Sequence, residues 1–339
     1  MDNRRKRIII IGAGPIGQCM GAPAIRSLEI ATSLSRNFEV FLVIPNKPTI
    51  TPLDFHLVWN KDPALKKLLE GSDGVMIMGI VEKCPLWLFL SKKPILVDLY
   101  IPYSFELLEM KKTGISFIRF LWETRLILLL KRGDFFICAS EKQRHLWLGA
   151  MAILGRIVAE IYQRNKLGRG LIDVVPFGIP EISPEKEKEV FKGQVISSTD
   201  KLVLWNGGIW RWLDPLTLIK AIYEIRKQRD DIKLLFLGTH HPNEDSAQDE
   251  IWDEAIGLAK SLGIYSETIF FNETWVPYHE RKDYLLEADL GVSLHTKTLE
   301  SLFSFRARLL DCLWADMPIV CTEGDHFGIW LKRKAWGSP

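Results

Sequence analysis

The sequence has few cysteines, and no pattern among them that would bind a metal or form a disulfide scaffold. They are scattered along 339 residues without a Cys-x-x-Cys pair, and most lie within apolar runs. Zinc ribbons and small disulfide-rich secreted folds are therefore excluded. We expect no metal site and reduced core cysteines, as in a cytoplasmic protein, at Cys19, Cys84, Cys138, Cys312 and Cys321.

The chain also lacks an excess of charge of one sign and a long uninterrupted apolar run. Lys and Arg number 44 against 42 Asp and Glu, so the formal net charge is +2 and no nucleic-acid partner is expected. The longest apolar region, residues 115–130, contains Arg119, Glu123 and Arg125, and is too short and too charged to span a bilayer. A buried helix is the favoured interpretation. The 12 tryptophans and the partly basic character of this stretch leave open a peripheral contact with the inner face of the membrane.

The sequence does contain two series of alternating strands and helices. In the first half, runs of four to six apolar residues predict buried strands, and a longer pattern predicts a helix at residues 23–34. Such strands, separated by helices, imply a parallel sheet covered on both faces and hence an α/β fold. The predicted strands are residues 8–11, 39–44, 74–78, 95–99, 135–139 and 174–179.

Residues 181–200 are rich in Pro, Glu, Lys, Ser and Gly and are predicted to link two domains. A second alternation then runs from Leu202 to Leu294, which predicts a Rossmann-like domain at residues 1–180 and another at 201–339. Ligands of such folds bind at the carboxyl ends of the strands, so a cleft between the domains is the expected site. The second series stops soon after residues 319–321, and we expect a shortened C-terminal domain.

A glycine-rich loop follows the first strand. Gly12, Gly14 and Gly17 match G-x-G-x-x-G, the dinucleotide-binding pattern. Gly21 and Pro23 delay the helix start, however, and the second strand is not followed by an acidic residue that would bind a ribose. Dinucleotide binding is therefore disfavoured, and the loop is interpreted either as flexible or as directing its amides towards a ligand.

Residues 300–320 predict a loop, a helix and a strand. Ser304 is a candidate helix N-cap, and Pro318 stops the helix. Arg308 and Asp311 lie three residues apart on one helix face. They are either a surface ion pair or a binding site for an anionic ligand and its hydroxyls. His295 follows the strand predicted at residues 290–294 and is placed to meet such a ligand.

With these features the chain resembles family-4 glycosyltransferases of the GT-B fold, in particular a bacterial subgroup similar to heterocyst-envelope polysaccharide glycosyltransferases. The resemblance covers nearly the full length, and the order of its motifs is more specific than any one of them. The motifs are residues 23–31 (PAIRSLEIA), 140–149 (SEKQRHLWLG), 174–178 (VVPFG), 206–217 (NGGIWRWLDPLT) and 271–277 (FNETWVP).

The resemblance implies transfer of a sugar from a UDP- or GDP-type donor to a glycan or lipid-linked acceptor in polysaccharide synthesis, with retained configuration and without a metal cofactor. The absence of an Asp-x-Asp motif agrees, so cationic side chains and amides must neutralise the leaving diphosphate. The family's usual Arg and Lys after the first strand of the second domain are missing. Candidate substitutes are Gly207, Gly208, Arg211, Arg306 and Arg308, although Arg211 is equally well explained as a solvated loop residue.

The resemblance places Asp311 on the ribose of the donor. The family's first acidic residue would lie eight positions before Asp311, where this chain has Phe303, so a loop three residues longer has to bring Glu300 to the donor sugar. In the first domain, Asp98 ends a strand where relatives place a group facing the reacting sugar, and it is predicted either to act on the acceptor or to cap the next segment. An acceptor-side loop comprises Gly12, Gly14, Gly17, Gly21 and Arg26.

Two alternatives remain at this point. Nucleotide-sugar epimerases share the two-domain fold. A catalytically weak subunit that assists another glycosyltransferase fits the missing Arg and Lys and the short C-terminal domain.

Overall fold

The computed structural model describes residues 4–52, 54–79, 86–109, 115–238 and 250–334. The chain divides into two compact units, Met1–Phe177 and Gly178–Pro339, and each contains a parallel sheet with helices. The predicted α/β class with two Rossmann-like domains is therefore confirmed. Cys138 and Cys312 are buried and unpaired, while Cys84 lies outside the described residues.

The first unit is built on a seven-stranded parallel sheet in the order β3-β2-β1-β4-β5-β6-β7. Its central strands are apolar on both faces and buried, as a sheet covered by helices on both sides requires. The strands are Arg7–Ile11 (β1), Glu39–Ile44 (β2), His56–Trp59 (β3), Gly74–Met78 (β4), Ile95–Asp98 (β5), Phe135–Cys138 (β6) and Ile172–Val174 (β7).

The helices of the first unit connect these strands. Helix α1 begins at Ala22 with Pro23 in its first turn, where a missing N–H is tolerated, so the predicted late helix start is confirmed. The helices are Ala22–Ser35 (α1), Leu65–Glu70 (α2), Tyr103–Glu109 (α3), Ile115–Arg132 (α4), Glu141–Ile153 (α5) and Ala159–Arg164 (α6), with a 3-10 segment at Leu86–Leu90.

The strand predicted at residues 174–179 is misplaced. Strand β7 ends at Val174, and the Val175 amide makes one further bond, to the Cys138 carbonyl at 2.8 Å. The Val175 and Pro176 carbonyls then accept from the Arg26 side chain. The run of apolar residues predicts a strand that begins at Val174, whereas the strand in the structure ends there.

The second unit has a five-stranded parallel sheet in the order β10-β9-β8-β11-β12. Its strands are Lys201–Trp205 (β8), Ile232–Phe236 (β9), Ile269–Phe271 (β10), Leu290–Ser293 (β11) and Ile319–Cys321 (β12). Its helices are Pro215–Arg226 (α7), Glu250–Ser261 (α8), Arg281–Glu287 (α9), Leu299–Phe303 (α10), Arg308–Trp314 (α11) and His326–Lys334 (α12).

Part of the segment predicted as a linker is fastened to the second unit. The carboxylate of Glu287 in α9 accepts the backbone N–H groups of Val190, Phe191 and Lys192, each at 2.9 Å. Phe191 is buried in the core of this unit beside Leu202. These residues therefore belong to the second unit, although their polar composition is typical of a linker.

The N-cap predicted at Ser304 is wrong. Ser304 follows the last residue of α10, and its hydroxyl donates to the Glu300 carboxylate instead of accepting from a helix amide. Thr298 caps α10, while α11 starts only at Arg308, after Ala307. The helix ends at Trp314 rather than continuing to Pro318, and Asp316 then adopts φ of 51° in the left-handed region.

Candidate functional site

The second unit has a point where its strand order reverses. Strand β8 lies between β9 and β11, so the loops after β8 and β11 leave the sheet side by side. In open α/β sheets this crevice at the carboxyl ends is where ligands bind. The two loops are joined: the Asp214 N–H donates to the Leu294 carbonyl at 3.1 Å, and Leu213 pairs with His295 in a β-bridge.

The loop after β8 depends on two glycines. Gly207 has φ of 94°, a conformation that residues with a side chain rarely adopt. A Cβ at Gly238, which follows β9, would lie 3.1 Å from the Gly207 carbonyl carbon, so the two backbones approach closely. The Gly208 carbonyl accepts from Trp205 Nε1 at 3.3 Å. The predicted donor residues Gly207 and Gly208 thus form a tightly held turn at the reversal point.

Arg308 packs against that turn. Its Nη2 donates to the Gly208 carbonyl at 2.8 Å, and its guanidinium lies 5.2 Å above the Trp205 ring. Burial, with a smaller effect from the nearby charge of Arg306, lowers the pKa of Arg308 to about 9. Its Nη1 is buried and has no hydrogen-bond partner among the residues that the structure describes. Arg308 therefore offers an unused donor beside Gly207 and Gly208.

Arg306 is paired within the protein. Its Nη1 and Nη2 donate to the two carboxylate oxygens of Glu300 at 2.9 and 2.6 Å, and both side chains are buried. Ser304 adds a hydrogen bond to the same carboxylate. The structure brings together Glu300 and Arg306, which were predicted to bind different parts of a donor, and pairs them with each other.

Two further buried groups adjoin this pair. Asp325 Oδ2 lies 3.7 Å from His295 Nε2 and 4.0 Å from Arg306 Nε, and none of these three atoms has a hydrogen-bond partner. The other oxygen of Asp325 accepts the Gly328 N–H at 2.6 Å. His295 thus lies in the loop after β11, with its ring buried and facing Asp325 rather than solvent.

The remaining predicted donor residues also have protein partners. Asp311 lies 3.3 Å from Arg281 Nε and keeps about a third of its side chain exposed. Burial raises the pKa of Asp311, and the positive charge of Arg281 opposes the increase. Arg211 pairs with Glu254 of α8 at 3.3 Å, and 12% of its side chain is exposed.

One cation in these loops was missed from the sequence. Lys297, in the loop after β11, is exposed and makes no ion pair or hydrogen bond within the part of the chain that the structure describes. It lies two residues beyond His295, whose backbone joins the two loops. Lys297 is identified by the strand order, because it follows β11, the strand beside the reversal point. The spacing of residues in the sequence does not show which strands are neighbours.

In the first unit, Arg26 and Asp98 form a bidentate pair. Arg26 Nε and Nη2 donate to the Asp98 carboxylate at 2.6 and 3.1 Å, and both side chains are buried. Arg26 also donates to the carbonyls of Val175 and Pro176 at 2.8 and 3.2 Å. Burial raises the pKa of Asp98 to about 6, although Arg26 acts in the opposite direction.

The glycine loop of the first unit is closed on its own chain. Asn46 accepts from the Ile16 amide at 3.0 Å and donates to the Ile16 carbonyl at 2.9 Å. A Cβ at Gly12 would lie 3.1 Å from the Val43 carbonyl oxygen, and one at Gly14 would lie 3.3 Å from the Ala24 Cβ. Gly17 faces Thr49, and Gly21 caps α1. The close approaches explain the glycines, and Asn46 occupies the place where a dinucleotide site has an acidic residue.

No protein-family profile and no curated protein sequence matches the chain. Solved structures do. WaaG, a glycosyltransferase involved in lipopolysaccharide biosynthesis, is 13% identical with a TM-score of 0.66, over 98% of this chain and 85% of WaaG. Anabaena HepE, solved in complex with UDP and glucose, is 13% identical with a TM-score of 0.61, over 96% of this chain and 82% of HepE.

A third similar structure is the E. coli trehalose-6-phosphate protein bound with UDP-2-fluoro glucose. It is 12% identical with a TM-score of 0.61, over 96% of this chain and 86% of that one. The chain has the GT-B fold. At these identities the likeness establishes the fold, and roles for individual residues have to come from the geometry of this chain.

The described residues were also searched for a metal site and for a membrane-spanning helix. Among the described residues, no group of three or more His, Cys, Asp or Glu side chains is arranged to hold a metal ion. The metal-free site stays a prediction. No helix within the described ranges is long and apolar enough to cross a membrane.

Proposed function

We propose that this protein is a glycosyltransferase that moves a sugar from a UDP- or GDP-type nucleotide diphosphate donor. The observation that carries the proposal is the GT-B fold in combination with the reversal point of the second unit. There, the tight Gly207–Gly208 turn lies against a cation with an unused donor, Arg308. HepE, which shares the fold, is solved with UDP and glucose.

In this proposal the donor diphosphate lies over the loops after β8 and β11. Arg308 Nη1 and the exposed ammonium of Lys297 supply positive charge to the leaving diphosphate. Charge-assisted hydrogen bonds from fixed donors stabilise the leaving group in the way that metal-free phosphate sites require. Asp311, with its exposed part, is the proposed contact of the ribose hydroxyls.

Glu300 is assigned a different role from the one that the sequence suggested. Its carboxylate is buried and bound by Arg306 and Ser304, so it fixes the segment between α10 and α11 that carries Arg308. We propose it as a positioning residue. Asp98, bound by Arg26, holds the carboxyl end of β5 in the first unit in the same manner.

The finer parts of the proposal are retention of configuration, the absence of a metal cofactor, and a glycan or lipid-linked acceptor in cytoplasmic polysaccharide synthesis. They rest on the motifs of the family-4 subgroup that the chain resembles. Incubation of the full chain with UDP- and GDP-sugars and a mixture of glycan and lipid-linked acceptors, followed by proton NMR of the product's anomeric position, tests them. We expect acceptor-dependent release of a nucleoside diphosphate, undiminished by a chelator, and a product with the anomeric configuration of the donor.

A catalytically weak partner subunit is the second candidate function, and a specific observation favours it. Both carboxylates predicted to be catalytic, Asp98 and Glu300, are bound by buried arginines. Nucleotide binding without turnover, and activity that appears only when a partner glycosyltransferase is added, would support this candidate. Formation of an epimer of the donor without acceptor would instead identify an epimerase and contradict both candidates.

A further inference from the structure

Helix α4 of the first unit exposes an apolar face. The sequence favoured a buried helix at residues 115–130, and one face does contribute Leu126, Leu129 and Leu130 to the core. The opposite face is also apolar. Its exposed side chains recur at helical spacing along the helix: Phe117, Phe120, Leu121, Ile127 and Leu128.

The exposure along this face is large. Phe117 is 68% exposed and Phe120 is 62% exposed. Soluble helices usually present polar residues opposite the core, and a helix that is apolar all round is normally covered. The 3-10 segment and α3, which pack beside α4, also expose Leu90 and Leu108. Several exposed apolar side chains on one helix face mark an interaction surface.

The charges around this face are mainly basic. Helix α4 carries four basic residues and one acidic residue, and the acidic Glu123 is paired with Arg119 at 2.7 Å. Lys131 is exposed and lies three residues after Leu128, at the C-terminal end of this face. Arg132 donates to the Ser91 and Lys93 carbonyls at 2.7 and 2.6 Å, which places exposed Lys92 beside the same end of the helix. Neither lysine has an acidic partner among the described residues.

We propose that this α4 face, defined by Phe117, Phe120, Leu121, Ile127 and Leu128 together with Lys92 and Lys131, binds an anionic lipid surface. An interfacial helix buries apolar side chains among the acyl chains while lysines contact the lipid phosphates. Charge decides between this occupant and a second copy of the chain. Two copies joined through the same face bring together two basic helices, whereas an anionic bilayer complements them.

Co-sedimentation of the full chain with phosphatidylcholine vesicles, with and without phosphatidylglycerol, tests the proposal. Binding that requires phosphatidylglycerol and weakens with added salt is expected. The Phe117→Ser/Phe120→Ser double variant should bind roughly tenfold less tightly or worse, because two large apolar groups are removed. Lys92→Glu/Lys131→Glu should abolish the preference for phosphatidylglycerol.

Ile153→Ser is the matched control. Ile153 is 89% exposed at the end of α5, outside the α4 face, and its replacement should leave vesicle binding unchanged. Far-ultraviolet circular dichroism checks that each variant is folded. Wild-type protein that fails to sediment with anionic vesicles overturns the proposal, as does a folded serine double variant that sediments like the wild type. A vesicle-independent dimer that the serine variant converts to monomer identifies self-association and also overturns it.

Discussion

The described part of each unit contains a bidentate buried arginine–carboxylate pair, Arg26–Asp98 and Arg306–Glu300, and the two pairs differ in what surrounds them. In the first unit, Arg26 joins Asp98 to the Val175 and Pro176 carbonyls, so residues 72 to 150 positions apart meet at one guanidinium. In the second unit, Arg306 binds Glu300 only six residues away, and its Nε makes no hydrogen bond within the described part of the chain. In the first pair all three guanidinium nitrogens make hydrogen bonds and tie distant segments together, whereas the second pair shapes a local segment and leaves polar atoms unused.

This difference indicates separate roles. A buried pair in which every guanidinium nitrogen is already hydrogen-bonded is less able to bind a ligand, and breaking it leaves an uncompensated charge. The incompletely bonded pair of the second unit lies next to Arg308, whose own Nη1 is unused, and next to the loops at the reversal point. We therefore assign stability mainly to the Arg26–Asp98 pair, and positioning of the proposed donor site to the Arg306–Glu300 pair.

Removing Asp98 should have the largest effect on stability. Asp98→Ala leaves the Arg26 guanidinium buried without its counter-charge, and we expect the free energy of unfolding to fall by about 3–5 kcal/mol. Denaturation followed by tryptophan fluorescence measures this. Arg26→Met/Asp98→Leu, which removes both charges, is the matched control and should lose clearly less. Equal losses in the two variants would show that packing, rather than the pair, is important at this site.

Removing Glu300 should have a smaller effect, because Arg306 keeps a second carboxylate nearby. Asp325 Oδ2 is 4.0 Å from Arg306 Nε and accepts no hydrogen bond within the part of the chain that the structure describes. We expect Glu300→Ala to lower the free energy of unfolding by about 2–3 kcal/mol. Nucleotide affinity should fall as well, because the segment that carries Arg308 loosens. Glu323→Ala, at an exposed pair with Lys332, is the control and should be near neutral. If Glu300→Ala lost as much unfolding free energy as Asp98→Ala, the two pairs would not differ in their contribution to stability.

The first pair should also be visible in the pH dependence of stability. The pKa of Asp98 is raised to about 6 in the folded protein, above its unfolded value of 3.8, so the folded state binds more protons between these values. Stability from this carboxyl is therefore fully present below the unfolded pKa and is lost as the pH rises through the folded one.

We expect the unfolding free energy of the wild type, relative to Asp98→Asn, to decrease by on the order of 1–3 kcal/mol from about pH 4 to about pH 6. Urea titrations of both proteins across this range measure the difference. A difference that increases with pH would mean that Arg26 lowers the pKa of Asp98 by more than burial raises it.

Replacement of Lys297 should have the smallest effect of these changes. It tests whether the nucleoside diphosphate binds the second unit rather than the first. Lys297→Ala should weaken binding of the nucleoside diphosphate by roughly twofold to tenfold, and less at high salt, because the lysine is exposed. Lys47, exposed after β2 of the first unit, is the matched control. If calorimetry shows the same change for Lys47→Ala, the donor site is not confined to the second unit.

The sequence predicted the sheets better than the site. Apolar runs such as Ile8 to Ile11 and Leu202 to Trp205 identify buried strands because burial on both faces leaves a continuous signal. Short helices and the partly exposed β3 lack this signal and were missed. The end of β7 was misplaced because apolar residues continue past Val174, whereas the Val175 and Pro176 carbonyls accept from the Arg26 side chain.

Within the candidate site, the sequence selected residues that do lie together but not their pairings. Glu300 and Arg306 were predicted to contact different parts of a ligand. They lie six positions apart, and their side chains form hydrogen bonds with each other. Asp325 and Lys297 were not selected, because their relevance depends on the order of β8, β11 and β12 in the sheet. Strand order is a long-range property that local spacing does not encode.

Calorimetric titration of UDP and GDP into the full chain tests the central claim, that the second unit binds a nucleoside diphosphate at Gly207, Gly208 and Arg308. We predict that at least one of the two binds the wild type and that Arg308→Ala weakens it by roughly tenfold or more, the loss of a charge-assisted contact. Arg226→Ala, an exposed pair with Glu267 in the same unit, should bind like the wild type. Failure of both nucleotides to bind the wild type, or unchanged affinity in Arg308→Ala, would contradict the account.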